Sequence, residues 1–289
     1  MVDNKTVSAV MFVRNEEDYI DESFSSLLNQ TKPIDQIIVV DDFSTDSTRN
    51  IVQKYHKAYL VKNKKRGMAY ACESGLKLVE TELFFLCHGD DVISKNYVEQ
   101  MYKFISKQKI KYAYSNFIMT EDDLTPKRFI AKKKYYNKYD LLRDCFTGGY
   151  LFGYSEIIPI MLPFPVGMDF EDWYITIVLS QQFEGNHVNV KPLFKYRRHS
   201  DSDSTNLKNN RGKYLTLLSR SMDFLTLSRR IVSDDLSNKV IDARLQFYDA
   251  MLNYTLFKTL KVLISHLYTW REKLSISFFP ITIRLKYRK

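Results

Sequence analysis

Apolar and polar positions over the first hundred residues switch repeatedly between two periods. Residues 7–13 (VSAVMFV) form an almost continuous apolar run that reads as a strand, and Ile20, Phe24, Leu27 and Leu28 then recur at helical spacing up to Pro33. Residues 37–40 (IIVV) are wholly apolar and β-branched, the pattern of a strand covered on both faces in a parallel sheet, and they end at Asp41 and Asp42. Ile51, Val52 and Tyr55 mark a second helix, residues 58–61 a third strand and residues 62–67 (KNKKRG) a basic loop. A helix is predicted over 68–79 and a fourth strand over 83–87, which runs into His88-Gly89-Asp90-Asp91. Ser94 stands where it can cap a helix whose apolar face is Tyr97, Val98, Met101, Phe104 and Ile105.

Strands and helices in this alternation predict a doubly wound, mostly parallel α/β sheet. Such sheets bind ligands in the crevice outside the carboxyl ends of their strands. Those ends carry Asn15, Asp41-Asp42, the Arg66 loop and the 88–91 segment, so polar groups far apart in sequence would meet. Beyond residue 118 the pattern loosens. A strand is predicted over 111–118, a polar and basic stretch over 120–138, and a glycine- and aromatic-rich segment over 146–154 that includes the turn-like Gly148-Gly149-Tyr150. Residues 168–173 (MDFEDW) open a helix through Gln182, residues 188–196 form a strand, and helices follow from 206.

Composition narrows the class. With 45% hydrophobic and 27% charged residues the chain is a globular protein rather than a disordered one. Cys72, Cys87 and Cys145 are odd in number and lack CxxC spacing, which argues against a disulfide framework or structural zinc and fits a reducing cytosol. No basic leader with a cleavage site is visible, and no apolar run reaches the ~18 residues of a spanning helix. The net charge of +9 is concentrated at the end: residues 251–289 hold eight Lys/Arg against Glu272 alone, a balance of +7 that leaves +2 elsewhere. Aromatic and aliphatic residues interleave with these charges, a pattern open to an interfacial segment on anionic lipid, a nucleic-acid groove or a solvated helix. Confinement of the charge to the tail makes nucleic acid the least favoured partner.

Capping of the next helix accounts for Ser44 or Asp46, but not for two carboxylates at a strand tip. A carboxylate there can accept hydrogen bonds from a ribose hydroxyl or a base N–H. Asp90-Asp91 is either a solvated turn before a helix or, with diphosphate oxygens, a site for a hard divalent cation, Mg²⁺ or Mn²⁺.

These residues resemble the motifs of the family 2 glycosyltransferases, which have the GT-A fold. The family's DDGSTD appears as Asp41-Asp42-Phe43-Ser44-Thr45-Asp46, its N-x-G-x-x-x-A-x-N-x-G loop as Lys65-Arg66-Gly67 with Ala71, Glu73 and Gly75, and its DxDD as His88-Gly89-Asp90-Asp91. Glu171-Asp172-Trp173 is similar to its ED motif and residues 196–202 (YRRHSDS) to its YRxH segment, so the likeness covers about residues 5–205. His88, Phe43, Lys65 and Glu73 depart from the family pattern.

The resemblance implies a GT-A domain over 1–205, with a nucleotide-sugar half (1–118) and an acceptor half (119–205), and a helical basic extension over 206–289. It implies an inverting transfer from a nucleotide-diphosphate sugar, a UDP-sugar, to a hydroxyl of a carbohydrate or lipid-linked saccharide in surface polysaccharide assembly. Asp42 would contact the base, Arg66 would lie along the nucleotide, Asn15 and Asp41 would line the same crevice, and Asp90 would reach the ribose. Asp91, with Asp90 and His199, would hold the Mn²⁺ or Mg²⁺, and Arg197 or Arg198 would assist at the diphosphate. Asp172 would be the catalytic base with Glu171 beside it, and Trp173 would stack on a sugar or fill the core. The enzyme would be cytoplasmic, peripheral at the inner face of the membrane through its tail. Two other classes stay open, a non-catalytic partner that keeps the nucleotide fold and a nucleotidyltransferase, which would leave Glu171-Asp172 without a role.

Overall fold

The computed structural model describes residues 5–130, 133–143, 150–183, 185–199 and 211–252. They divide into two compact units, one drawn from 5–137 and 150–199 and the other from 138–143 and 211–252. Residues 253–289 of the expected membrane-binding tail, Gly148-Gly149 and the 200–202 end of the last motif lie outside the described residues.

In the first unit, β1 (Val7–Val13), α1 (Ile20–Leu28), β2 (Gln36–Asp41), α2 (Thr48–Val52), β3 (Ala58–Lys62), α3 (Met68–Leu76) and β4 (Leu83–His88) follow the predicted alternation. The four strands pair in parallel in the order β3-β2-β1-β4. Every residue of β1 is buried, because helices cover both faces. Helix α1 turns Ile20, Phe24 and Leu27 into the core, each contributing about 1.5–3 kcal/mol by its burial. Helix α3 lies so close to the sheet that a Cβ on Gly75 would stand 2.4 Å from Val10 Cγ1 and 3.1 Å from Val40 Cγ2. Only glycine allows that approach.

The sheet continues through β5 (Val92–Ile93), α4 (Tyr97–Gln108), β6 (Tyr112–Thr120), β7 (Pro126–Ile130), β8 (Tyr135–Asn137), β9 (Phe152–Tyr154), α6 (Ile158–Met161), α7 (Glu171–Phe183) and β10 (Gly185–Arg197). Strand β9 enters antiparallel between β4 and β6, β10 runs parallel to β6, and β5 closes the edge antiparallel to β10. The mixed, mostly parallel α/β sheet is as expected. Strands β5, β7, β8 and β9 were not: β5 has two residues, β7 is exposed over its first four and shows no apolar alternation, and β9 lies in the stretch read only as glycine- and aromatic-rich. Ser94 does not cap α4. Its N–H bonds Leu193 O on β10, while the Oε1 of Gln30, from beyond α1, accepts the Val98 N–H.

The second unit comprises α5 (Lys138–Arg143), α8 (Arg211–Ser228) and α9 (Asp235–Leu252), with α9 packed on both of the others. The pattern had placed residue 138 at the end of a polar stretch.

Candidate active site

The carboxyl ends of β1, β2 and β4 carry the polar groups expected there. At β2, Asp42 is 2% exposed, and its carboxylate accepts the Gly67 N–H at 2.9 and 3.0 Å and the Asn63 amide at 2.9 Å. The basic loop is thereby drawn to the strand tip, with Arg66 exposed on it. Asn15, two residues beyond β1, has a φ of 54°, its Oδ1 accepting the Thr45 N–H at 2.8 Å and its own N–H bonding Ser44 Oγ at 3.1 Å. Phe43 also has positive φ, 61°, and is partly exposed beside Asp42. Asp41, expected at the nucleotide, is instead wholly buried: it accepts the Ser44 N–H at 3.1 Å and faces Arg49 Nε at 3.6 Å, so it shapes its own turn.

The end of β4 and the end of β10 meet. Asp90 Oδ2 lies 3.2 Å from His199 Nε2, with side-chain exposures of 19% and 9%. The His199 ring also lies on Tyr19, centroids 4.6 Å apart. Burial, followed by a hydrogen bond to Asp122, pushes the Tyr19 phenol up to about 12, so it stays neutral beside the histidine. Asp91, expected to hold a cation, is enclosed by the protein. Its Oδ1 accepts the Arg197 N–H at 2.7 Å, its Oδ2 accepts the Tyr150 hydroxyl at 3.0 Å, and its backbone oxygen accepts Ser23 Oγ at 2.6 Å. Burial and then the charge of Asp90 raise its pKa well above the ordinary value. Asp91 thus holds the strand ends together, and Asp90 is the carboxylate on the open side.

Arg197 is likewise internal, 4% exposed, with its guanidinium bonded to protein groups rather than presented to a ligand. Arg198 is partly exposed and donates its N–H to Thr120 O at 3.2 Å. His88 replaces a carboxylate with an aromatic contact, its ring lying 5.8 Å from Phe12 and 5.9 Å from Tyr150. Beneath this turn, Glu16 is 9% exposed, and burial and then the Asp90 charge raise its pKa well above the usual range. A Cβ on Gly89 would stand 2.0 Å from Glu16 Oε2 and 2.7 Å from Val13 Cγ1, so only glycine fits against Glu16 and the end of β1.

Glu171 and Asp172 open α7, which packs against α3 and β10. Glu171 is buried and Asp172 half-buried, and their charges, Glu171 first, add to the burial that raises the Cys72 thiol on α3. Trp173 is 4% exposed with its ring toward Phe170, which makes it core. The loop ahead of α7 is tied to α3 by the Phe164 N–H on Glu73 Oε2 at 3.2 Å and the Gly167 N–H on Tyr70 OH at 3.4 Å. Tyr19, Tyr150, Glu16 and Asn63 were missed in sequence. Tyr150 was visible only as part of a glycine turn, and Asn63 only as part of a basic loop.

No three His, Cys, Asp or Glu side chains among the described residues converge to enclose a metal ion. Asp90 and His199 nonetheless form a carboxylate–imidazole pair on the crevice side, which suits Mn²⁺ or Mg²⁺ if diphosphate oxygens and water complete the shell.

A parallel β3-β2-β1-β4 half-sheet with acidic strand tips, followed by a mixed half that brings a histidine back to them, is the GT-A arrangement of nucleotide-sugar enzymes. The model of Glycosyl transferase family 2 matches residues 8–157, and the chain belongs to that family, as its motifs implied. A Bacillus subtilis (strain 168) protein named as the teichuronic acid biosynthesis glycosyltransferase TuaG is 29% identical over 150 residues, 49% of this chain and 59% of that protein. An Escherichia coli protein named UDP-Glc:alpha-D-GlcNAc-diphosphoundecaprenol beta-1,3-glucosyltransferase WfgD is 27% identical over 212 residues, 71% of this chain and 82% of that one. The chain therefore spans less than two thirds of the first relative and more of the second. Among solved structures, a mannosyltransferase of Pyrobaculum calidifontis in complex with GDP-Man and Mn²⁺ is similar with a TM-score of 0.61 at 15% identity, over 98% of this chain and 81% of that one, a likeness of fold.

Proposed function

We propose that the protein transfers a sugar from a UDP-sugar to a hydroxyl of a saccharide acceptor, carried on a lipid, during assembly of a bacterial surface polysaccharide. The observation that carries this reading is the Asp90–His199 pair at the carboxyl end of the half-sheet whose β2 tip carries Asp42, the end at which α/β sheets bind nucleotides. The UDP-sugar and lipid-linked acceptor named for one relative support the choice of substrates.

In this reading Asp42 and the loop it holds, with Asn15 and Arg66, receive the nucleoside. Asp90 and His199 hold a divalent cation, which when bound supplies charge neutralisation at the departing diphosphate. Asp91 keeps those two residues in register. Asp172, with Glu171 beside it, accepts the proton of the acceptor hydroxyl as that oxygen bonds the anomeric carbon and the bond to the diphosphate oxygen breaks. One base and one displacement invert the anomeric centre. The basic stretch 251–289 is proposed to rest on the anionic inner face of the cell membrane. No helix among the described residues is long and apolar enough to cross a membrane.

A calorimetric titration of UDP with and without Mn²⁺ tests the donor half. Metal-dependent binding that weakens in Asp90→Asn supports it, and turnover of UDP-sugars on a lipid-linked saccharide then separates an enzyme from a non-catalytic partner. Absence of binding by UDP, dTDP and GDP, with metal present, would sink the proposal.

A further inference from the structure

Arg197 ends β10 two residues before His199, and its side chain is 4% exposed. A buried guanidinium is tolerated only when its donors are matched. Here Nε donates to Asp90 O at 2.7 Å, Nη2 to Glu22 Oε2 at 2.6 Å and Nη1 to Asp122 O, while the backbone N–H donates to Asp91 Oδ1 at 2.7 Å. The guanidinium carbon also lies 4.9 Å from the centre of the Tyr19 ring, against which His199 packs. One side chain therefore joins α1, the 89–92 turn, the 121–125 turn and the end of β10. Of the three side-chain hydrogen bonds one goes to Asp90 O, and the backbone N–H of the same residue reaches the adjacent Asp91.

We propose that Arg197 is a positioning residue for the cation-binding pair, a role that rests on the function proposed above. It fixes the backbone of Asp90 and the chain leading to His199 at once, so the 3.2 Å approach of carboxylate and imidazole depends on it. The planar fork meets several acceptors in fixed directions, which lysine cannot do. Arg197 acts on the pair and leaves contact with the diphosphate to other groups.

The test is UDP binding to the intact chain with and without Mn²⁺ for Arg197→Gln, Arg197→Lys, His199→Ala and the double variant Arg197→Gln/His199→Ala. Arg197→Gln is expected to lower Mn²⁺-dependent affinity at least tenfold, to leave Mn²⁺-free affinity within about threefold, and to gain no further loss from His199→Ala, since residues acting as one unit are non-additive. Arg197→Lys is expected not to rescue. Additive losses, or an equal loss with and without Mn²⁺, would mean that Arg197 contacts the ligand itself and would overturn the proposal. If Arg197→Gln fails to fold, Glu22→Gln, at a side chain 55% exposed, should give a two- to fivefold loss confined to the Mn²⁺-dependent term, and no loss would count against the clamp. Wild-type protein that binds no UDP at all would refute the function but not the clamp. The clamp would then be judged without ligand by hydrogen exchange, where Arg197→Gln must raise exchange in 89–92 and 197–199 together and a change in neither would refute it.

Discussion

The Nε2 of His199 lies 3.2 Å from Oδ2 of Asp90, although 109 residues separate them. Asp91, next in the chain, turns the other way and is taken up by Arg197 and Tyr150. Two adjacent carboxylates thus have different surroundings, one paired with His199 and part-exposed and one enclosed between the strand ends.

That division predicts different losses. Asp90→Asn should weaken Mn²⁺-dependent UDP binding about tenfold or more at little cost in stability, because the side chain keeps its shape. Asp91→Ala should lower the melting temperature, since it strands the buried Tyr150 hydroxyl and Arg197 N–H, at about 1–3 kcal/mol for each unsatisfied group. Calorimetry and thermal melts of both variants check this. Binding lost in Asp91→Ala with the melt unchanged would return the cation to Asp91.

Asp172→Asn should abolish sugar transfer while UDP affinity stays within about twofold. The measurement is turnover beside donor titration, and a large loss of donor affinity would assign the residue to the nucleotide.

Gly75→Ala should destabilise the protein, although alanine is preferred to glycine in a helix by about 1 kcal/mol. The new methyl would meet Val10 Cγ1 at 2.4 Å, and overpacking of this kind costs roughly 1–3 kcal/mol. A thermal melt decides, with a raised melting temperature as the contrary result.

Asp234 precedes α9, accepting the Ser237 N–H at 2.8 Å and the Ser237 hydroxyl at 2.6 Å. The Ser237 hydroxyl bond is the main influence holding this carboxyl below its usual pKa. A lowered carboxyl pKa stabilises the fold above the unfolded value, about 3.9, and the gain is lost as pH falls through the folded one. Asp234→Ala should therefore cost about 0.5–2 kcal/mol at pH 7 and progressively less toward pH 3. Urea midpoints across that range would show it, and a difference independent of pH would contradict the cap.

Removal of the residues after Asn253 should reduce binding to anionic vesicles and make what remains less sensitive to salt. Unchanged vesicle binding would remove the membrane reading.

Much of the first hundred residues was legible because local physics dominates there. Short apolar runs alternating with helical patterns suit a doubly covered parallel sheet, and such a sheet brings Asn15, Asp42 and the 88–91 segment to one end. The family motifs were equally plain as local strings. The jobs of individual carboxylates were not legible, because Asp41 and Asp42, or Asp90 and Asp91, differ by direction rather than by kind. Strand β7 went unread because it is exposed on both sides, and the cap of α4 because Gln30 supplies it from 68 residues away. By itself the sequence determined the α/β class, the crevice and the family. Only the tertiary structure decided that Arg197 points inward, that Asp91 is a brace and that His199 returns to Asp90. Those outcomes depend on which distant partners satisfy each buried charge, and no periodicity along the chain records that.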